Sequence, residues 1–152
     1  MQKENSEIII THLNEQLKDL SIDKTLEFVR NLFSNERVVF STSLGWEDQV
    51  ITHHIFANNF DINIFTLDTG RLFNETYSVF NSTRERYKKN IEVYFPQAEA
   101  VQKMLTDKGP LSFFESLENR KEPMTNWSPL VEKYLMSVAI YLLSLTRRII
   151  RP

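Results

Sequence analysis

The sequence predicts an α/β protein built on a doubly wound parallel sheet. Three observations carry that prediction. "VVF" at residues 38–40 is continuous and apolar, and "INIFTLD" at 62–68 is of the same type, as strands are when helices cover both faces. The segments between such runs have helical spacing, and strands that alternate with helices require right-handed crossovers, which leave the strands parallel. No internal repeat or low-complexity tract competes with this pattern.

The elements follow in order. Ile9, Leu13, Leu17 and Leu20 fall on one helical face; after a break at Ser21, Leu26, Val29 and Phe33 fall on another. Residues 37–43 read as the first strand, and residues 46–59 as a helix closed by Asn58 and Asn59. The second strand is 62–68. Asn74 is the expected N-cap of the next helix, with Glu75 in its first turn, and Lys88, Lys89 and Asn90 suit its C-terminal end. Residues 91–95 form a third strand closed by Pro96, and short helices at 97–108 and 111–117 flank a Gly109-Pro110 break, with Phe113 and Phe114 expected in the core. From Pro123 the composition changes: Lys133, Arg147, Arg148 and Arg151 stand against the single acid Glu132 around an apolar stretch. Residues 123–152 are therefore set apart from residues 1–122.

Composition narrows the function. A chain of 152 residues, 41% hydrophobic, suits one domain with a core. Its net charge of −2 provides no basic field for a nucleic acid backbone, although backbone amides still bind small anions. Cysteine is absent, which removes disulfides, thiolate metal sites and thiol nucleophiles from this sequence. Residues 1–7 are polar, unlike a signal peptide, so a cytoplasmic location is expected. The longest uncharged run, 134–146, is too short to span a bilayer as a helix.

In an open α/β sheet, ligands bind beyond the carboxyl ends of the strands. Two loops leave at that edge. In the first, Ser41, Thr42 and Ser43 offer hydroxyls, Gly45 permits close approach of backbone to ligand, and Glu47 and Asp48 stand where an anion loop would be expected to carry lysine. Alone, that pattern reads more simply as Ser43 capping a helix whose first turn is stabilised by two acids. The second loop, "FTLDTGRLFNETY" at 65–77, is more distinctive, with Leu67, Asp68, Thr69, Gly70 and Arg71 at its start. His53 and His54 are adjacent on a helix and diverge, with no metal-ligand spacing. Arg84, Arg86, Lys88 and Lys89 read as a solvated face or an anion patch.

Together, "FSTSLGWEDQV" and "FTLDTGRLFNETY" closely resemble the phosphoadenylyl-sulfate and adenylyl-sulfate reductases of assimilatory sulfate reduction. "GPLSFFESLENRKE" at 109–122 resembles the segment before that family's reactive-loop region; Asn74 stands where the family often has proline. The resemblance implies a Rossmann-like fold of the adenine nucleotide alpha-hydrolase-like superfamily. It implies that Ser41, Thr42, Ser43, Gly45, Glu47 and Asp48 form the phosphosulfate loop, the acids orienting it. Leu67, Asp68, Thr69 and Gly70 would line the adenosine pocket, with Arg71 as a charge partner.

The same resemblance implies a cysteine nucleophile in a Glu-Cys-Gly-x-His setting, whose thiosulfonate thioredoxin or glutaredoxin releases. In one branch it implies further cysteines for a 4Fe–4S cluster, beginning just after "ENRKE". Here Pro123 and Met124 follow Glu122, so no catalytic or metal-ligating residue is assigned and no cofactor is expected in this chain. The resemblance is expected to stop near residue 122, leaving the sheet incomplete on its C-terminal side. The first strand's edge would then be bare, inviting self-association into a homo-oligomer. Residues 123–152 are either a truncated or frameshifted end, or a helix of Leu130, Tyr134, Met136, Val138, Tyr141, Leu142 and Leu145 that shields that edge. Three functional readings follow: a reductase-family protein without turnover, a non-catalytic adenine-nucleotide-binding module, and an adenylyl-transferring relative of ATP pyrophosphatases. The partner expected is a sulfated adenine nucleotide, with no nucleic acid and no membrane.

Overall fold

The structure, a computed structural model, describes residues 15–33, 38–116 and 119. Helix α1 spans Ile22–Leu32, and Ser21 caps it by accepting the Lys24 N–H at 3.4 Å. There follow β1 (Val39–Ser41), α2 (Trp46–Ala57), β2 (Asn63–Leu67), α3 (Asn74–Tyr87), β3 (Glu92–Tyr94), α4 (Ala98–Lys108) and the single turn α5 (Ser112–Glu115). The strand-helix alternation is the one expected. Among the described residues the three strands form one sheet in the order β1-β2-β3, both pairings parallel.

Register explains the apolar runs. Phe40 pairs with Ile64 and both point to one face, where they join Leu26 and Val29 of α1 and Ile51, Ile55 and Phe56 of α2. Val39 and Phe65 have the opposite parity, lie outside that cluster and are equally buried, so the second face is covered too. There the Tyr94 ring meets Phe65 edge-on at 5.7 Å. Burial on both faces is what removes polar alternation from such strands.

Polar contacts lace the helices on the first face. The His54 Nδ1 lies 2.6 Å from the Asp23 carboxylate of α1, which also accepts from the Asn58 amide. His53 turns the other way, to the Tyr87 hydroxyl of α3 at 2.8 Å. The two histidines thus diverge, as expected. The basic cluster is dispersed: Arg84 lies over Phe80, Arg86 lies over Tyr87, and Lys89 donates to the Phe56 carbonyl and to Asn59.

Several boundaries differ from expectation. The strand read as 37–43 is paired only at Val39–Ser41, because the Thr42 amide makes a last bond to the Phe65 carbonyl at 2.8 Å and the chain then turns away. Asn74 is the first residue of α3 and not its cap; Phe73 holds that position without a side-chain bond. The edge of β1 away from β2 has no partner strand among the described residues. Ile9, Leu13, Arg37, the side chains of Phe113 and Phe114, and all of 123–152 lie outside the described residues.

Candidate functional site

Adjacent parallel strands release their following loops at the same edge. Ser41 pairs with Phe65, so the loop after β1 begins beside the last residues of β2, and residues 42–48 and 68–71 leave one rim of the sheet. The predicted site residues are brought to that rim together.

Within the first loop most polar groups are already paired. Asp48, 8% exposed on the first turn of α2, folds back and accepts from both the amide and the hydroxyl of Ser43, the latter at 2.7 Å. The buried Thr42 hydroxyl accepts the Leu44 amide at 2.9 Å, and the Ser43 hydroxyl accepts the Gly45 amide at 3.3 Å. Ser43 therefore does not cap α2: Gly45 occupies the cap position and no side chain bonds there. The amides of Trp46, Glu47 and Asp48, in that first turn, have no carbonyl of their own helix to meet. Glu47 is exposed.

The loop's backbone is unusual at a place composition does not flag. Leu44 is buried with φ +64°, a left-handed conformation that costs a non-glycine residue on the order of 1 kcal/mol or more. Gly45 has an ordinary φ of −71°. Its missing side chain answers a different need, since a Cβ there would lie 3.2 Å from the Ser43 hydroxyl oxygen.

The second loop is organised by Asp68, which is 5% exposed. Its carboxylate accepts the Gly70 amide at 2.6 Å and the Tyr77 hydroxyl at 2.9 Å, while its own amide bonds the Tyr94 carbonyl of β3. Gly70 turns left-handed at φ +73°. Arg71 donates to the Pro110 carbonyl at 3.0 Å, tying this loop to the α4–α5 turn. Thr69 and Gly70 form one wall of a cleft of about 520 Å³, the other walls being Phe95 and Pro96 after β3 and Val101 and Leu105 of α4. That size suits a small organic ligand.

Tyr77 escaped the sequence reading, although it closes the quoted motif, because an aspartate nine residues before a helical tyrosine shows no contact by spacing. Its phenol is pushed above the ordinary value of 10.0, first by desolvation, then by the hydrogen bond to Asp68 and that carboxylate's charge. A raised folded-state value means that Tyr77 contributes stability in full below about pH 10 and loses it as pH rises through the folded value. Thermal melts of the wild type should therefore show an alkaline fall above about pH 10 that is shallower in Tyr77→Phe. Identical slopes would contradict this assignment.

Among the described residues no three of His, Cys, Asp and Glu are grouped to hold a metal ion, and no helix is long and apolar enough to cross a membrane. With no cysteine in the sequence, this chain offers no thiolates to an iron–sulfur cluster.

Comparison with known proteins agrees with the motifs. A family model described as the phosphoadenosine phosphosulfate reductase domain matches residues 37–143, running past Glu122 into the segment set apart by composition. An adenosine 5'-phosphosulfate reductase of Sinorhizobium fredii (strain USDA 257) is 43% identical over 108 residues, covering 71% of this chain and 42% of that protein. The chloroplastic 5'-adenylylsulfate reductase 3 of Arabidopsis thaliana is 37% identical over 95 residues, 62% of this chain and 19% of that protein. The chain thus spans about two fifths of the length of its bacterial relatives, or less. In three dimensions it is similar to the crystal structure of a phosphoadenylyl-sulfate (PAPS) reductase from Candida auris in complex with phosphate, with a TM-score of 0.63 and 22% identity, covering 83% of this chain and 61% of that one. That likeness supports the parallel α/β fold.

Proposed function

The chain belongs to the phosphoadenosine phosphosulfate reductase domain family, and from that premise we propose that its sheet rim holds a sulfated adenine nucleotide, adenylyl sulfate or its 3′-phosphorylated form. The carrying observation is that residues 42–48 and 68–71 leave neighbouring strands at one edge, each loop already locked by a buried aspartate. In this reading the anionic group meets the amides of the first turn of α2, where the dipole favours negative charge. The nucleoside lies against the turn of Leu67, Asp68, Thr69 and Gly70, whose cleft is largely apolar on the side of Phe95, Pro96 and Leu105.

Binding without turnover is the role proposed for these residues. Reduction of a sulfated nucleotide to sulfite by a thiol mechanism needs a cysteine thiolate to attack sulfur, and the sequence supplies none. Thioredoxin or glutaredoxin accordingly has no enzyme thiosulfonate here to act on.

Calorimetric titration with adenylyl sulfate, its 3′-phosphorylated form, AMP and ATP tests the reading. Saturable binding of a sulfated nucleotide, tighter than that of AMP, is the expected result, with no sulfite released when reduced thioredoxin is added. Pyrophosphate release from ATP would instead point to the adenylyl-transferring reading, and no binding of any nucleotide would overturn the assignment.

A further inference from the structure

We propose that Tyr77 is the positioning residue of the nucleoside turn, holding Asp68 in the one orientation that fixes the Gly70 backbone. The inference rests on the nucleotide reading above and deepens it. Among the described residues both oxygens of Asp68 are met by neutral donors. Oδ1 accepts the Gly70 amide at 2.6 Å, and the Tyr77 hydroxyl reaches both Oδ1 and Oδ2, at 3.1 and 2.9 Å. A carboxylate gripped across both oxygens is hindered in rotating about χ2, so the Gly70 acceptor stays in place.

The consequence falls on the ligand wall. Gly70 keeps φ +73°, a conformation glycine adopts without steric cost, and its amide is fixed there by the bond to Asp68. Thr69 and Gly70 are the part of the turn that faces the cleft. Tyr77 lies one turn inside α3, its ring anchored to a rigid helix and 38% exposed, so it links the loop to a scaffold that does not depend on ligand. A ligand meets a preformed wall and need not order it on binding, which raises affinity.

Two measurements test this. The first needs no ligand: in Tyr77→Phe the Gly70 amide should exchange its proton about tenfold faster than in wild type, as expected for weakening one charge-assisted bond, while core amides such as Ile55 keep their protection. Unchanged Gly70 protection would overturn the inference whatever the protein binds. The second is titration of Tyr77→Phe, Asp68→Asn and the double variant with adenylyl sulfate and with AMP. Both ligands share the nucleoside, so Tyr77→Phe should weaken them by the same factor, about tenfold. The double variant should be no weaker than Asp68→Asn alone, because Tyr77 acts through Asp68. A loss confined to adenylyl sulfate, or losses that multiply in the double variant, would overturn it. Wild-type protein that binds neither nucleotide sinks the functional reading as well; wild-type binding with an unaltered Tyr77→Phe sinks only this one.

Discussion

Phe40→Ala is expected to lower stability by about 3–5 kcal/mol, the range for truncating a buried aromatic residue. Phe40 is 2% exposed at the centre of β1, pairs with Ile64 and touches the cluster formed by α1 and α2. Removing its ring leaves a cavity bounded by a strand on one side and two helices on the other, which cannot collapse together without breaking register. Against a net stability on the order of 5–15 kcal/mol for a domain, that is about a fifth of the total or more. The measurement is urea unfolding followed by far-ultraviolet circular dichroism, since Trp46 is 91% exposed and reports poorly on the core. Leu32→Ala, at a half-exposed position late in α1, serves as the control and should shift the midpoint little. Equal midpoints for the two variants would show that the core is not where Phe40 places it. β1 also carries residues 42–48 at its end, so a loosened strand should weaken nucleotide binding along with stability.

The parts of this fold legible in the sequence are those that depend on local composition and period. Val38, Val39 and Phe40 announce a strand buried on both faces, and Leu26 and Val29 announce the buried face of α1. Ends were less legible, because caps compete at neighbouring positions. Asn74 has the right chemistry to cap α3, yet Phe73 takes that place, and Ser43 gives its hydroxyl to Asp48 and Gly45 in place of the helix end. The two candidate loops were picked out by residue type, but the bonds that shape them were not. Nothing in spacing shows that Tyr77 grips Asp68, that Arg71 reaches Pro110, or that Leu44, beside a glycine, is the residue that turns left-handed. Those contacts arise only when two strands are in register and the loops beyond them close on helices from elsewhere in the chain.

Asp48→Ala and Asp48→Asn separate two roles that a carboxylate at the proposed anion site would combine. As a latch, Asp48 holds the amide and hydroxyl of Ser43 and so supports the left-handed Leu44 that follows. As a charge, it favours the helix N-terminus but opposes an incoming anion. Alanine removes both and leaves two donors of Ser43 without that acceptor; since Ser43 is exposed, water replaces part of the loss, and a destabilisation of about 1–2 kcal/mol is expected. Asparagine keeps a carbonyl for the Ser43 amide and discards the charge. If geometry dominates, Asp48→Ala weakens adenylyl sulfate by about tenfold while Asp48→Asn binds at least as well as wild type, because the seat keeps its shape and loses a repulsive charge. That is the expected result: a misplaced loop forfeits several oriented amides at once, whereas one partly screened charge acts through a single Coulomb interaction. Alanine binding as tightly as asparagine would mean that the latch is dispensable and that Asp48 serves the helix alone.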